Sequence, residues 1–208
     1  MADSSSETKK KLLESAKKEF LEKGFTGASL RTIAANAGVT TGAMYRNFKD
    51  KNAFFCALVD DAVEATKNVI MLADPKTHET LTPSQIDEHI NFEKKSTEDF
   101  LDYMYKNIDA FTLLLTKSAG STHEHFQEDI CELYTKNCQQ VFNCMYEKKI
   151  ASKKVSPMTI HFMASTVINA FCDIILHRMG KQEAQNYLSD IMEFASSGVY
   201  TLLGVKRE

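Results

Sequence analysis

The stretch Ser29–Lys51, SLRTIAANAGVTTGAMYRNFKDK, decides the fold. Ser29 is a good N-cap for a short helix whose buried face is Leu30, Ile33, Ala34 and Ala37. Gly38 permits the positive φ that ends this helix, and Val39 plugs the corner. A second short helix starts near Thr41 and runs through Met44, Tyr45 and Phe48. Helix, tight turn with glycine at its elbow, and helix is the helix-turn-helix arrangement, whose second helix lies in the major groove of DNA. The small residues Thr41, Gly42 and Ala43 let the backbone approach a duplex closely, and Tyr45 and Arg46 follow one turn on. Arg46 suits a guanine edge or a phosphate, and Arg31 projects from the start of the preceding helix. Lys51 falls in the first turn of the next helix, beside free amides that suit a phosphate. A plain corner of a helical bundle would share this outline.

Upstream, Leu12, Leu13, Ala16, Phe20 and Leu21 recur at helical spacing between Glu7 and Lys23, and Gly24 stops this helix as a left-handed C-terminal cap. Downstream, Asp50 caps a fourth helix reaching about Leu72, which Asp74-Pro75-Lys76 breaks. Thr82-Pro83 opens a fifth helix to Tyr105, and a shorter one spans Ile108 to Lys117. Ser121 or Thr122 caps a long helix to about Lys149, and Ser156-Pro157 restarts the chain. Residues 157–179 are apolar nearly all round, and Gly180 separates them from a last helix ending near Leu202. No alternating strand pattern interrupts this, so the fold class is all-α.

The chain has 208 residues, 43% hydrophobic and 25% charged, which excludes wholesale disorder. Its net charge of −3 is unevenly spread. Residues 1–58 carry 10 Lys+Arg against 6 Asp+Glu, and the remainder 15 against 22. A basic N-terminal piece on an acidic body suits a polyanionic partner for the first, although solvated lysines clustered by chance would give the same count. Five cysteines without a C-x-x-C pair, in a chain without an evident leader, point to a reducing cytoplasm. Uninterrupted apolar runs such as Phe111–Leu115 fall short of the ~20 residues of a membrane span.

The pattern Gly24-Phe25, Ala28-Ser29-Leu30-Arg31, Ile33-Ala34, Ala37-Gly38-Val39, Gly42, Tyr45, Phe48 and Lys51 resembles the TetR family of transcriptional regulators. The resemblance covers about Lys11 to Leu58, with Phe55 where the family often has leucine. It implies a three-helix DNA-binding domain, residues 1–52, continuous with a helical effector-binding and dimerisation domain, residues 53–208. It implies that Thr40, Thr41, Gly42, Ala43, Tyr45 and Arg46 face the major groove, that Arg31 meets a base or phosphate, and that Ser29 and Lys51 touch the DNA backbone. Tyr45 is similar to the family tyrosine packed on the sugar-phosphate chain; a place in the small domain's core is the other reading. The partners implied are a double-stranded DNA operator, a second copy of the chain and a small-molecule effector.

In the body, methionines and aromatic side chains would suit an apolar or aromatic effector, with Tyr103, Phe111, Phe126, Tyr134 and Phe171 as candidate pocket residues. Thr166, Asn169, Asp173 and His177 share one stripe of an apolar helix, to orient a ligand or to pair across a dimer. His123-Glu124-His125 reads as an exposed helix start, since residues two apart on a helix point to different faces and no cysteine lies at ligand spacing. No metal site and no cofactor are expected. No catalytic motif such as G-x-S-x-G, H-E-x-x-H or G-x-G-x-x-G occurs, so the chain is expected not to be an enzyme. The alternatives are a helical enzyme or binding bundle, and a regulator acting through a protein partner.

Overall fold

In the computed structural model, residues 2–71 and 86–204 are described, with side chains from Ser6 to Met71 and from Lys95 to Gly204. They form nine helices and no strand: α1 Ala2–Gly27, α2 Leu30–Asn36, α3 Thr41–Asn47, α4 Lys51–Met71, α5 Ile86–Lys106, α6 Ile108–Thr116, α7 Phe126–Glu147, α8 Pro157–Leu176 and α9 Lys181–Leu203. The expected break at Asp74-Pro75-Lys76 and helix start at Thr82-Pro83 lie outside the described residues.

The described helices group into two compact units. The first takes in Met1–Glu64 and also Asn107–Phe126, more than the 52 residues expected for the N-terminal domain; the second takes in Ala65–Lys106 and Gln127–Glu208. α4 is one unbroken helix that passes from the first unit into the second.

The first unit is built on aromatic packing. Leu12, Ala16 and Phe20 of α1, Ile33 of α2, Met44 of α3, and Phe54 and Phe55 of α4 are fully buried. Phe55 meets Phe20 and Phe25 edge to face, each with centroids 5.4 Å apart, so phenylalanine here completes an aromatic triad. The buried Ser15 hydroxyl donates to the Ile33 carbonyl at 2.9 Å, fixing α2 on α1.

Gly24 ends the first run of α1, but not as a left-handed cap. Its φ of 70° comes with ψ of 170°, a region essentially confined to glycine. The freed amide of Phe25 donates to Lys117 O at 2.8 Å, and the Thr26 hydroxyl donates to Ala119 O at 2.9 Å. The segment after α6 thus closes on the end of α1, assisted by an ion pair between Lys17 and Asp109.

α7 starts at Phe126, later than Ser121 or Thr122 would place it, and Ser121–His125 forms turns instead. The reason is tertiary. Thr122 donates its backbone and side-chain protons to Asn52 Oδ1, at 3.0 and 3.2 Å, and His123 packs half-buried with Nε2 2.9 Å from Asp60 Oδ1. His123 is therefore not part of an exposed helix start, although His125 is exposed.

The second unit packs α5, α8 and α9 around Leu101, Ala170, Ile174, Ala184 and Leu188. α8 begins as its sequence requires, with Ser156 Oγ accepting from Thr159 N at 3.2 Å and Pro157 in the first turn. With a mean hydropathy of 1.5 over an 18-residue window, this helix is long and apolar enough to cross a membrane, although polar residues interrupt its apolar runs. Its Ala170 and Ile174 face is covered by α9, which accounts for part of that apolarity, while Met158 and Phe162 stay exposed. Gly180 separates α8 from α9 as the N-cap of α9, and the left-handed residue of the turn is Arg178, with φ of 54°.

The polar stripe of α8 finds partners inside the chain. Asn169 Oδ1 accepts from Gln127, Asp173 accepts from the Tyr187 hydroxyl at 3.1 Å, and Thr166 donates to Phe162 O. Burial and that contact with Asp173 both push the Tyr187 hydroxyl above the usual tyrosine range.

Candidate nucleic-acid interface

The local rules that make α2 and α3 also position their polar side chains. Ser29 Oγ accepts from Thr32 N at 3.3 Å, while its own amide donates to Glu19 Oε1 at 3.1 Å. The expected backbone contact is thus also the pin joining α1 to α2. Thr40 Oγ1 accepts from Ala43 N at 3.2 Å, capping α3, and Asn47 Nδ2 donates to Ala43 O at 2.9 Å.

Ile33, Ala34, Met44 and Phe48 point into the core, while Leu30, Ala37 and Val39 are only half-buried. On the outer side of the two helices and at the cap of α3, Arg31, Thr40, Thr41, Gly42, Tyr45 and Arg46 are exposed, with Ala43 half-buried. Tyr45 is 55% exposed, which removes it from the core of the small domain. Among the described residues, Arg31 and Arg46 have no hydrogen-bond or ion-pair partner within the chain.

Lys51 is held differently. Its Nζ donates to Thr26 O and Ala28 O, both at 3.1 Å, and lies 5.0 Å from the centroid of Phe25. It clasps the loop before α2, with one of its three N–H groups left over. The loop after α3 adds a cation that the sequence reading passed over: the Lys49 side chain is 85% exposed. Only its sequence position, between α3 and α4, hinted at it.

The candidate effector residues are dispersed. Phe111 and Phe126 are buried in the first unit. Tyr103 and Phe171 both lie against Phe100, with centroids 6.4 and 5.5 Å from it, and Tyr134 is half-buried on α7. None of the five lines the groove of about 520 Å³ between α5 and α9, whose walls include Glu98, Gln185, Asn186, Asp190 and Glu193. Leu101, Leu188 and Met192 also line it, so that groove is of mixed character, without an aromatic side chain.

Residues 12–58 match the sequence model described as bacterial regulatory proteins, tetR family. An uncharacterized HTH-type transcriptional regulator of Haemophilus influenzae is 25% identical over 121 residues, 53% of this chain and 55% of that protein. The HTH-type transcriptional repressor AcnR of Corynebacterium diphtheriae is 32% identical over 84 residues, 35% of this chain and 44% of that one. The chain thus spans about half the length of the curated relatives it matches. The crystal structure of NalD, the secondary repressor of the MexAB-OprM multidrug efflux pump in Pseudomonas aeruginosa, superposes with a TM-score of 0.57 over 92% of this chain and 96% of its own, at 21% identity. That likeness establishes a shared all-helical fold.

Proposed function

From the match of residues 12–58 to the model of bacterial regulatory proteins of the tetR family, we propose that the chain is a homodimeric, sequence-specific transcriptional regulator in the cytoplasm, a non-enzymatic repressor released from its operator by a small molecule. The observation that carries the reading is the outer face of α3, where Thr41, Gly42, Tyr45 and Arg46 stand exposed on a helix whose opposite face, Met44, is fully buried. A side chain locked on its inner side and free on its outer side is presented in a fixed orientation, as base reading requires. In this reading Thr40, Thr41, Gly42, Ala43, Tyr45 and Arg46 enter the major groove, Arg31 meets a base or phosphate, and Ser29 and the remaining N–H of Lys51 touch the backbone.

Dimerisation is supported by surface apolarity. Met158 and Phe162, four residues apart on α8, are 74% and 67% exposed, and Phe194 on α9 is 67% exposed. A two-fold copy would cover such side chains and supply the second half-site reader. Repression is supported by the relative named a transcriptional repressor, AcnR. For release, an effector that binds better to the conformation with badly spaced readers would lower operator affinity by its affinity ratio for the two states. α4, continuous from the first unit into the second, is the natural lever. The groove between α5 and α9, walled in part by Leu101, Leu188 and Met192, would suit a small effector with an apolar part.

Selection of bound duplexes from a random DNA pool, followed by titration of the winner at two salt concentrations, tests the reading. A pseudo-palindromic winner with steep salt dependence is expected. A folded dimer that enriches no sequence would overturn it in favour of a helical binding bundle.

A further inference from the structure

α4 and the turn before α7 bring together two side chains at helical spacing and a third that no local spacing connects to them. Cys56 and Asp60 lie four residues apart and so on one face of α4, and His123 reaches that face from the Ser121–His125 turns. His123 Nε2 is 2.9 Å from Asp60 Oδ1 and 3.7 Å from Cys56 Sγ, and the three ligand atoms all lie within 4.8 Å of one another. From this geometry we propose that Cys56, Asp60 and His123 form a binding site for a divalent transition metal ion of the zinc type, which staples the middle of α4 to the turn before α7.

The distances fit that chemistry. With Zn–S of about 2.3 Å and Zn–N and Zn–O near 2.0 Å, tetrahedral coordination sets the ligand atoms roughly 3.3–3.6 Å apart. The Sγ to Nε2 separation is already close to that, and a small rotation of Asp60 opens its contact to His123 and brings its carboxylate toward Cys56. The donor set of one thiolate, one imidazole and one carboxylate suits a borderline ion better than magnesium or calcium, which take oxygen.

The surroundings are organised around the same atoms. Cys56 Sγ lies 3.4 Å from both Asn52 Nδ2 and Thr122 Oγ1, and the His123 amide donates to the Ser121 hydroxyl at 3.1 Å. These contacts limit the freedom of the thiol and of the imidazole-bearing turn, which is what partners behind metal ligands do. The His123 side chain is only one-fifth exposed, whereas that of Asp60 is more than half exposed, so the carboxylate side offers the entry path and a water the fourth position. On binding, the Cys56 thiol gives its proton to solvent, and the imidazole binds through an unprotonated Nε2 with its hydrogen on Nδ1, any proton held on Nε2 toward Asp60 passing to solvent or to Nδ1. Affinity therefore rises with pH, because binding releases the thiol proton.

The test uses the full chain, reduced and stripped with a chelator, titrated with Co²⁺ as the optical probe and with Zn²⁺ in competition. One Co²⁺ per chain is expected, with a thiolate-to-cobalt charge-transfer band and the intense visible bands of four-coordination. Zn²⁺ should remove both and raise the melting temperature. Cys56→Ser should lose the charge-transfer band and the thermal shift, while Asp60→Asn and His123→Gln should each bind at least ~10-fold more weakly. Cys144→Ser should behave as wild type, and circular dichroism should show the same helix content in every variant. Absence of the thiolate band from the wild type, or its survival in Cys56→Ser, would overturn the proposal.

Discussion

Gly42 sits in the first turn of α3 with open space around it: a Cβ added there meets nothing within 4 Å, and its φ is not positive. Its own fold gives glycine no task, which fits the proposed close approach of DNA at this position. Gly42→Leu is expected to leave the melting temperature unchanged or raised, because glycine is the poorer helix former by about 1 kcal/mol, while abolishing operator binding. A variant that binds the selected duplex normally would remove Gly42 from the interface. Arg46→Ala should weaken cognate binding by roughly 1–3 kcal/mol with little effect on random DNA, and equal losses on both, read by parallel titrations, would refute base reading. Lys51 carries two roles that a single variant removes together, each with its own readout. Lys51→Met keeps the stem but removes the bonds to Thr26 O and Ala28 O. It should therefore destabilise the chain by about 1–2 kcal/mol in urea unfolding as well as flatten the salt slope of DNA binding.

At the scale of the element, three helices end in one geometry with three different residues. After α2, Gly38 N donates to Ala35 O and Val39 N to Ala34 O, with Gly38 at φ 68°. This is the Schellman pattern, and it explains why Val39 stays close to Ala34 while only half-buried. After α7, Lys149 N donates to Tyr146 O and Ile150 N to Met145 O, with Lys149 at φ 61°. After α8, Arg178 N donates to Ile175 O and Met179 N to Ile174 O, with Arg178 at φ 54°. Only the first has the glycine that removes the steric cost of the left-handed region. Lys149→Gly and Arg178→Gly should each stabilise by about 1 kcal/mol, and Gly38→Ala should destabilise by a similar amount, measured by urea denaturation. A neutral result in all three would mean that the flanking contacts, not the backbone, set these turns.

At the scale of the whole molecule, the apolar surplus of α8 and α9 is the feature that one chain does not use up. Met158, Phe162 and Phe194 stay exposed while Ala170, Ile174, Ala184 and Leu188 fill the core. If a second copy covers the former, a double substitution Phe162→Glu with Phe194→Glu should cost the dimer about 2 kcal/mol or more and yield folded monomers in sedimentation. Operator affinity should fall with it, because one reader then has one half-site.

The sequence by itself determined the elements and the reader. Ser29, Thr40, Asp50 and Ser156 cap the helices they precede, because a side-chain oxygen satisfies the amides of its own first turn without help from the rest of the fold. Gly38 and the period of Ile33, Ala34 and Met44 fixed the helix-turn-helix for the same local reason. What only the tertiary structure decided is where distant segments meet. The late start of α7, the closure of residues 117–119 on the end of α1, and the approach of His123 to Cys56 and Asp60 all join residues more than sixty positions apart. No periodicity records such pairs. The partner of a thiol or a freed amide is set by packing, and a turn such as Arg178 is forced against its own preference by the helices it joins.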